Sequence, residues 1–464
     1  MLRRRSFLVS GLSTAFAPVL GAATANDPDV FDDDAIGASL DERIEADRRS
    51  VGMVAAVITA QGDRHVIGRG RLDQSDPRVP DADTVFEIGS ITKVFTALLL
   101  ADMVLRGVVA WDEPVARLLP PSVHVPRFGD AQVTLLDLAT HTSGLPRMPS
   151  NFHPADPGDP YADYTVGQLY DFLDTAMLSR TPGSAYEYSN LGYGLLGHAL
   201  ARRSGSGFEE LVRARICGPL GLESTAVTLD ASMRARRAVG HDAALGPVEP
   251  WSLPTLAGAA ALRSTARDLL VFLSAASGRS ATPLAPAFDA LLGTRRRGDT
   301  PSTEAALGWL VTHRSGSEVV WKNGGTGGFS SYAGWSPRSG RCALVLGNAQ
   351  VPPGLDDIGL HLIDPQAPLA VLPRQAPIDP ARLDAYVGLY SVAPVFMLDV
   401  ARLGDRLFVQ TTGQRPLEIF YGGDGRFFFK QVNARLDFAF DSRGRAVSLV
   451  LDQNGRDLHG LRIQ

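Results

Sequence analysis

The segment FEIGSITKVFTALLLADMVLRG, residues 86–107, is what most restricts how this chain can fold. Its pattern predicts a helix from Val94 to Leu105 that is apolar on almost every face, and such a helix has no side to turn toward water. It must run through the middle of a large core. With 464 residues, 45% hydrophobic and 20% charged, the chain is long enough to enclose that helix and to build a second, smaller domain.

Strand patterns lie on both sides of it. After an acidic lead containing Asp32, Asp33 and Asp34 and a helix over Leu40 to Arg49, Met53 to Thr59 and Arg64 to Gly70 read as a hairpin, with Gln61 and Gly62 at its turn. Gly308 to Arg314, Glu318 to Lys322, Ser330 to Trp335 and Arg341 to Leu346 read as further strands of the same antiparallel sheet. The residues between, from Phe86 to about 295, are dominated by helical patterns: Val94 to Leu105, Val166 to Met177, Leu191 to Arg202, Phe208 to Ile216 and Thr265 to Ala275. The expected class is α/β in the α+β sense, a helical block inserted into a sheet whose strands come from both ends. This domain is expected over residues 38–362. Five prolines between 363 and 380 mark a stiff linker, and the short strands of 381–464, broken by glycine turns, predict a small antiparallel barrel or sandwich. That module is expected to shield or extend the substrate cleft.

Residues 1–25 combine Arg3, Arg4 and Arg5, a moderately apolar run from Phe7 to Leu20, and the small-residue site Ala23-Thr24-Ala25. This is the pattern of an export signal, and RRSFL resembles the twin-arginine form. The run is too short and too polar for a membrane anchor, so the mature protein is expected to be soluble, with no stable span. A net charge of −5 offers no basis for binding nucleic acid. Cys217 and Cys342 are expected to be buried and unpaired.

Three motifs carry chemistry. Ser90 follows Gly89 at the head of the apolar helix, and Lys93, three residues on, shares its face. A lysine desolvated among Ile91, Val94, Phe95 and Leu98 has its pKa lowered and can help take the serine proton. Free amides at the helix head favour the negative charge of a tetrahedral intermediate. In TPGSAYEYSNLGYGLLG, Tyr188 and Asn190 are two residues apart in a turn and point the same way. A phenol facing Lys93 and a second cation can exchange a proton with Ser90, while Asn190 orients Lys93 and donates to a substrate carbonyl. Tyr186 and Tyr193 read as core. In VVWKNGGTGGFSSYAGW, Lys322 ends an apolar strand and supplies charge for an anionic substrate; Asn323, Gly324 and Gly325 follow, and the Gly325 N–H can complete an oxyanion hole with that of Ser90. No histidine is spaced as a base and GxSxG is absent, which argues against a nucleophile-elbow hydrolase. His141 is expected to pack or hydrogen-bond in its loop, no metal site is expected, and the chemistry needs no cofactor.

SITK at Ser90, YSN at Tyr188 and KNG at Lys322 together resemble the signature elements of class C beta-lactamases and the DD-peptidases and esterases related to them. THTSGLP from Thr140, GPLGLEST from Gly218 and LRSTARDLLVFL from Leu262 support the likeness over residues 38–360, and YVGLY at Tyr386 is similar to the β-rich modules that follow some members. The resemblance implies Ser90 as nucleophile, Lys93 and Tyr188 as its base system, Asn190 as a substrate contact and Lys322 as the carboxylate-binding cation. Asn323 departs from the usual threonine and is seen among esterase-like and peptidase-like members. The expectation is acyl transfer through Ser90 on beta-lactams or D-Ala-ended peptides, with small esters as the alternative substrates and a silent binding protein as the alternative class.

Overall fold

The buried helix runs from Thr92 to Leu105, and every residue from Thr92 to Met103 is buried. The structure, a computed structural model, describes residues 31–464, apart from 315, 351–353, 394, 395, 413, 415, 454 and 455. The export signal expected at 1–25 lies outside the described residues. Helices Asn190–Ser204 and Ala285–Gly293 and the short turn Ala257–Ala260 pack around the central helix. Phe95 stacks on Phe272 with ring centroids 4.3 Å apart. The one acid on the helix, Asp102, accepts from Arg215 Nε at 2.8 Å and Arg106 Nε at 2.9 Å, so its charge is paired where burial would otherwise penalise it.

Among the described residues the sheet has eight antiparallel strands, in the order Arg64–Gly70, Gly52–Ile58, Cys342–Gly347, Ser330–Trp335, Ser317–Gly325, Leu310–Arg314, Thr303–Ala305 and Arg296–Arg297. Met53 pairs with Gly347 and Ile58 with Cys342, so segments almost 300 residues apart close the domain. Both strands of that pair are buried throughout because helices Ala266–Ala276 and Asp356–Ile363 pack against the sheet.

Two boundaries differ from expectation. The first helix is Asp33–Asp41, continuing as a π-helical turn over Glu42–Ala46, rather than Leu40 to Arg49. The acidic lead is its start: Asp32 Oδ1 accepts from the Asp34 and Ala35 amides, and Asp33 and Asp34 sit at the positive end of the helix dipole. The strand of Lys322 does not end there. It continues to Gly325, because Asn323, Gly324 and Gly325 stay in register with Tyr332, Ser331 and Ser330.

Residues 388–462 form a closed eight-stranded antiparallel barrel, which decides between the two expected forms; the first strand meets the last through Tyr390 and Arg462. Its core includes Tyr386, Phe427 and Phe438. The proline-rich link is pinned at both sides: Arg374 pairs with Glu42 and Asp47, and Ala376 N donates to Tyr421 O at 2.8 Å. Cys217 and Cys342 are buried and free. No helix among the described residues is long and apolar enough to cross a membrane.

Candidate active site

Ser90 lies in a single 3-10 turn, Gly89–Ile91, that feeds directly into the central helix. Its hydroxyl is a meeting point. Lys93 Nζ donates to Ser90 Oγ at 3.0 Å and Tyr188 OH donates to it at 2.7 Å. Lys93, fully buried, spends its other protons on Asn190 Oδ1 at 2.9 Å and Ala259 O at 2.8 Å. Ser90, Lys93, Tyr188 and Asn190 therefore converge, across 98 residues of chain separating Ser90 from Tyr188.

The convergence has a local cause at each loop. Ser189 caps helix Asn190–Ser204, accepting from Gly192 N at 2.8 Å, and its own N–H donates to His141 Nδ1 at 3.0 Å. The His141 ring lies 4.5 Å from the Tyr188 ring, and burial first, then Lys322 and Lys93, hold its pKa well below the ordinary range. It is a neutral acceptor that positions the tyrosine loop, as its loop placement suggested.

Electrostatics complete the arrangement. Burial works to raise the Tyr188 pKa, but the charges of Lys322 and Lys93 outweigh it and bring the phenol down from 10.0 to about 7. Lys322 Nζ lies 4.8 Å and Lys93 Nζ 4.9 Å from the centre of its ring. For Lys93, burial dominates and lowers the ammonium to about 8, with Lys322 and Arg147 adding to the effect and Tyr188 opposing it. A phenol and a lysine that ordinarily titrate at 10 or above are both poised near neutrality beside one hydroxyl.

Gly324 and Gly325 do what only glycine permits at this crossing. A β-carbon at Gly324 would lie 2.8 Å from Ser90 N, and one at Gly89 would lie 2.6 Å from Gly325 N. Ladder hydrogen bonds alternate, and Thr326 N donates to Phe329 O at 3.0 Å, so the Gly325 N–H points away from the neighbouring strand, on the Gly89 side. The Gly325 amide is thus next to the turn that carries Ser90.

Asn323 lines the cleft, but its amide is engaged: Nδ2 donates to Asp356 Oδ2 at 2.7 Å. Burial first, then Asp357, raises the Asp356 carboxyl to about 6 against the pull of Asn323 and Lys322. Sequence reasoning missed Asp356, whose strand partner lies 33 residues away, and also Arg147. The Arg147 guanidinium sits 5.1 Å from the Tyr188 ring at the cleft edge and joins no ion pair or hydrogen bond among the described residues. Its place directly after THTSGLP was the only available signal. Tyr193 is core, with its hydroxyl on Ala139 O at 2.5 Å, whereas Tyr186 is half-buried on the cleft wall rather than in the core, because the loop it occupies turns out toward the opening. Among the described residues no three His, Cys, Asp or Glu side chains cluster so as to hold a metal ion.

The cleft holds about 1330 Å³ and is lined by Ser90, Tyr188 and Lys322 together with barrel residues Arg406 and Phe408. An antiparallel sheet with an inserted helical block, holding serine, lysine and tyrosine in mutual contact, defines a penicillin-recognising serine hydrolase. The chain belongs to the beta-lactamase family: the family model described as Beta-lactamase matches residues 38–367. A second model, a domain of unknown function (DUF3471), matches residues 372–463. The chain is 30% identical over 286 residues to the D-alanyl-D-alanine-carboxypeptidase/endopeptidase AmpH of Escherichia coli (strain K12), covering 58% of this chain and 71% of that protein. It is 34% identical over 218 residues to esterase EstB of Burkholderia gladioli, covering 43% and 54%. The solved beta-lactamase/D-alanine carboxypeptidase from Yersinia pestis, complexed with citrate, superposes with a TM-score of 0.61 at 26% identity over 68% of this chain and 92% of that one.

Proposed function

We propose that Ser90 is the nucleophile of an acyl-transfer reaction on beta-lactams or D-Ala-ended peptides. The observation that carries this reading is the pair of hydrogen bonds meeting on Ser90 Oγ, 3.0 Å from Lys93 and 2.7 Å from Tyr188. With Tyr188 as phenolate, the serine proton passes to it as Oγ bonds the carbonyl carbon. The Ser90 and Gly325 amides receive the oxyanion. As the carbon–nitrogen bond breaks, the proton returns through Tyr188 to the departing nitrogen, and water then attacks the ester by the reverse route. Asn190 holds Lys93 and borders the substrate; Lys322 attracts the carboxylate; Asn323 and Gly324 form the strand edge along which the substrate lies. The name borne by AmpH, a carboxypeptidase and endopeptidase, agrees with this reading.

The test is mass spectrometry after exposure to a penicillin or a fluorophosphonate. An adduct on Ser90 is expected, and the absence of one with both reagents overturns the reading. A second reading, hydrolysis of small acyl esters, draws on Asp356, whose carboxyl shares the Lys322 neighbourhood, and on the likeness to EstB. Activity of Lys322→Ala on nitrophenyl esters that returns to the wild-type level at alkaline pH, with none on lactams in either protein, would favour it. We also assign the chain to the exported compartment on the pattern of residues 1–25; a mature protein found in the periplasm or medium, beginning near residue 26, is the expected result.

A further inference from the structure

Phe408 is an aromatic side chain on the outside of a barrel. In strand Arg406–Thr411 the residues turned into the barrel core are Leu407 and Val409, while Arg406 and Phe408 face outward. Single outward apolar side chains are ordinary on a protein surface, and what distinguishes this one is its place on the wall of the cleft that contains Ser90. Here it lies under the Arg406 guanidinium, 5.0 Å from its ring centre, and that guanidinium is held by Glu418, with Nε donating to Oε1 at 2.8 Å. The shelf so formed faces the Asp242 to Ala244 loop, whose Asp242 carboxylate is close enough to act on the Arg406 charge. Shelf and loop both line the cavity that contains Ser90.

The barrel and the link are tied to the catalytic domain by direct contacts. Arg49, buried in the catalytic domain, stacks over Phe428 of the barrel at 5.6 Å and donates to Pro373 O of the link at 3.3 Å. A cavity of about 1330 Å³ exceeds the roughly 300–1,000 Å³ of an ordinary small-ligand pocket, so a substrate that reaches Ser90 has room to extend to the shelf.

We propose that the C-terminal barrel supplies a substrate subsite in cis, in which Phe408, topped by Arg406, receives an apolar group remote from the bond that Ser90 attacks. This deepens the proposed function and rests on Ser90 being the reacting centre. Glu418 neutralises Arg406, so the subsite selects for apolar surface rather than for charge.

The test separates the subsite from the chemistry. In full-length Ser90→Ala protein, binding of N-acetyl-D-alanine and N-octanoyl-D-alanine is measured by calorimetry with and without Phe408→Ala. The octanoyl compound is expected to bind at least about tenfold tighter, through burial of its chain, and Phe408→Ala is expected to remove most of that difference while leaving the acetyl compound within about twofold. Equal binding of the two compounds, or an octanoyl advantage that survives Phe408→Ala intact, overturns the subsite. Phe408→Thr, a good strand former without the ring, is a second variant should Phe408→Ala fail to fold, and is expected to remove the same advantage. Failure of the Ser90 adduct experiment instead overturns the catalytic reading and leaves this binding comparison readable.

Discussion

The Lys322 ammonium sits 4.8 Å from the ring centre of Tyr188, and with Lys93 it brings the phenol to about 7 against the burial that would drive it upward. Lys322 is thus both the candidate anion-binding cation and part of the proton circuit of Ser90.

Removing that charge has a definite sign. Without Lys322 the phenolate loses its strongest support, its pKa rises, and the base form appears at higher pH. For Lys322→Ala the ascending limb of kcat/KM, expected near pH 7 in the wild type, should move alkaline by about one unit or more. A neutral nitrophenyl ester is the substrate of choice, since it does not need the carboxylate contact. An unmoved limb would separate Lys322 from the proton circuit.

Arg147 should act at longer range. It is an exposed cation at the cleft edge without an acidic partner among the described residues. Arg147→Gln is expected to raise KM for a carboxylate-bearing substrate by about threefold or more at low salt, with the difference shrinking as ionic strength rises. The neutral ester serves as the control and should keep its KM.

Gly324→Ala should damage the reaction far more than the fold. The added methyl would meet the Ile88 carbonyl oxygen and stand 2.8 Å from Ser90 N, forcing the strand away from the Gly89–Ile91 turn. A fall in kcat of about a hundredfold or more is expected, the scale of losing one oxyanion donor. Circular dichroism should remain that of the wild type.

Lys430 offers a stability test. Its ammonium lies 4.2 Å from the Phe420 ring centre, and burial, aided by Arg49 and Arg48, lowers its pKa from 10.5 to about 8. Between about pH 8 and 10.5 the unfolded chain binds this proton more strongly than the folded one, so the group opposes folding below that window and ceases to do so as pH rises through it. Lys430→Met should melt higher than wild type at pH 7, and the gap should close toward pH 10.5. Melting curves at the two ends of the window decide this.

Much of the architecture was legible before any coordinates. The nearly all-apolar circumference of 94–105 demanded burial, and the hairpin near residue 60 and the strand group after 308 each showed their own turns. Where reading failed, the missing information was non-local or capped by side chains. The first helix was placed late because its cap, Asp32, looked like solvated acid. The strand of Lys322 was ended early because Asn-Gly-Gly is turn-like in isolation, and only pairing with Ser330 to Tyr332 holds it extended. The partner of the Asn323 amide, Asp356, is unremarkable in sequence and reaches it only through the fold.

By itself the sequence determined which side chains could react: a serine and lysine one helical turn apart, a tyrosine beside an asparagine, and a lysine before glycines. Periodicity and local spacing carry that information, because they act within a few residues. Only the tertiary structure decided that these groups share one hydrogen-bond network, that Arg147 and Asp356 join its field, and that an outward-facing phenylalanine of the barrel looks into the same cavity. Coulomb forces and packing act through space, between residues whose distance along the chain says nothing of their distance apart.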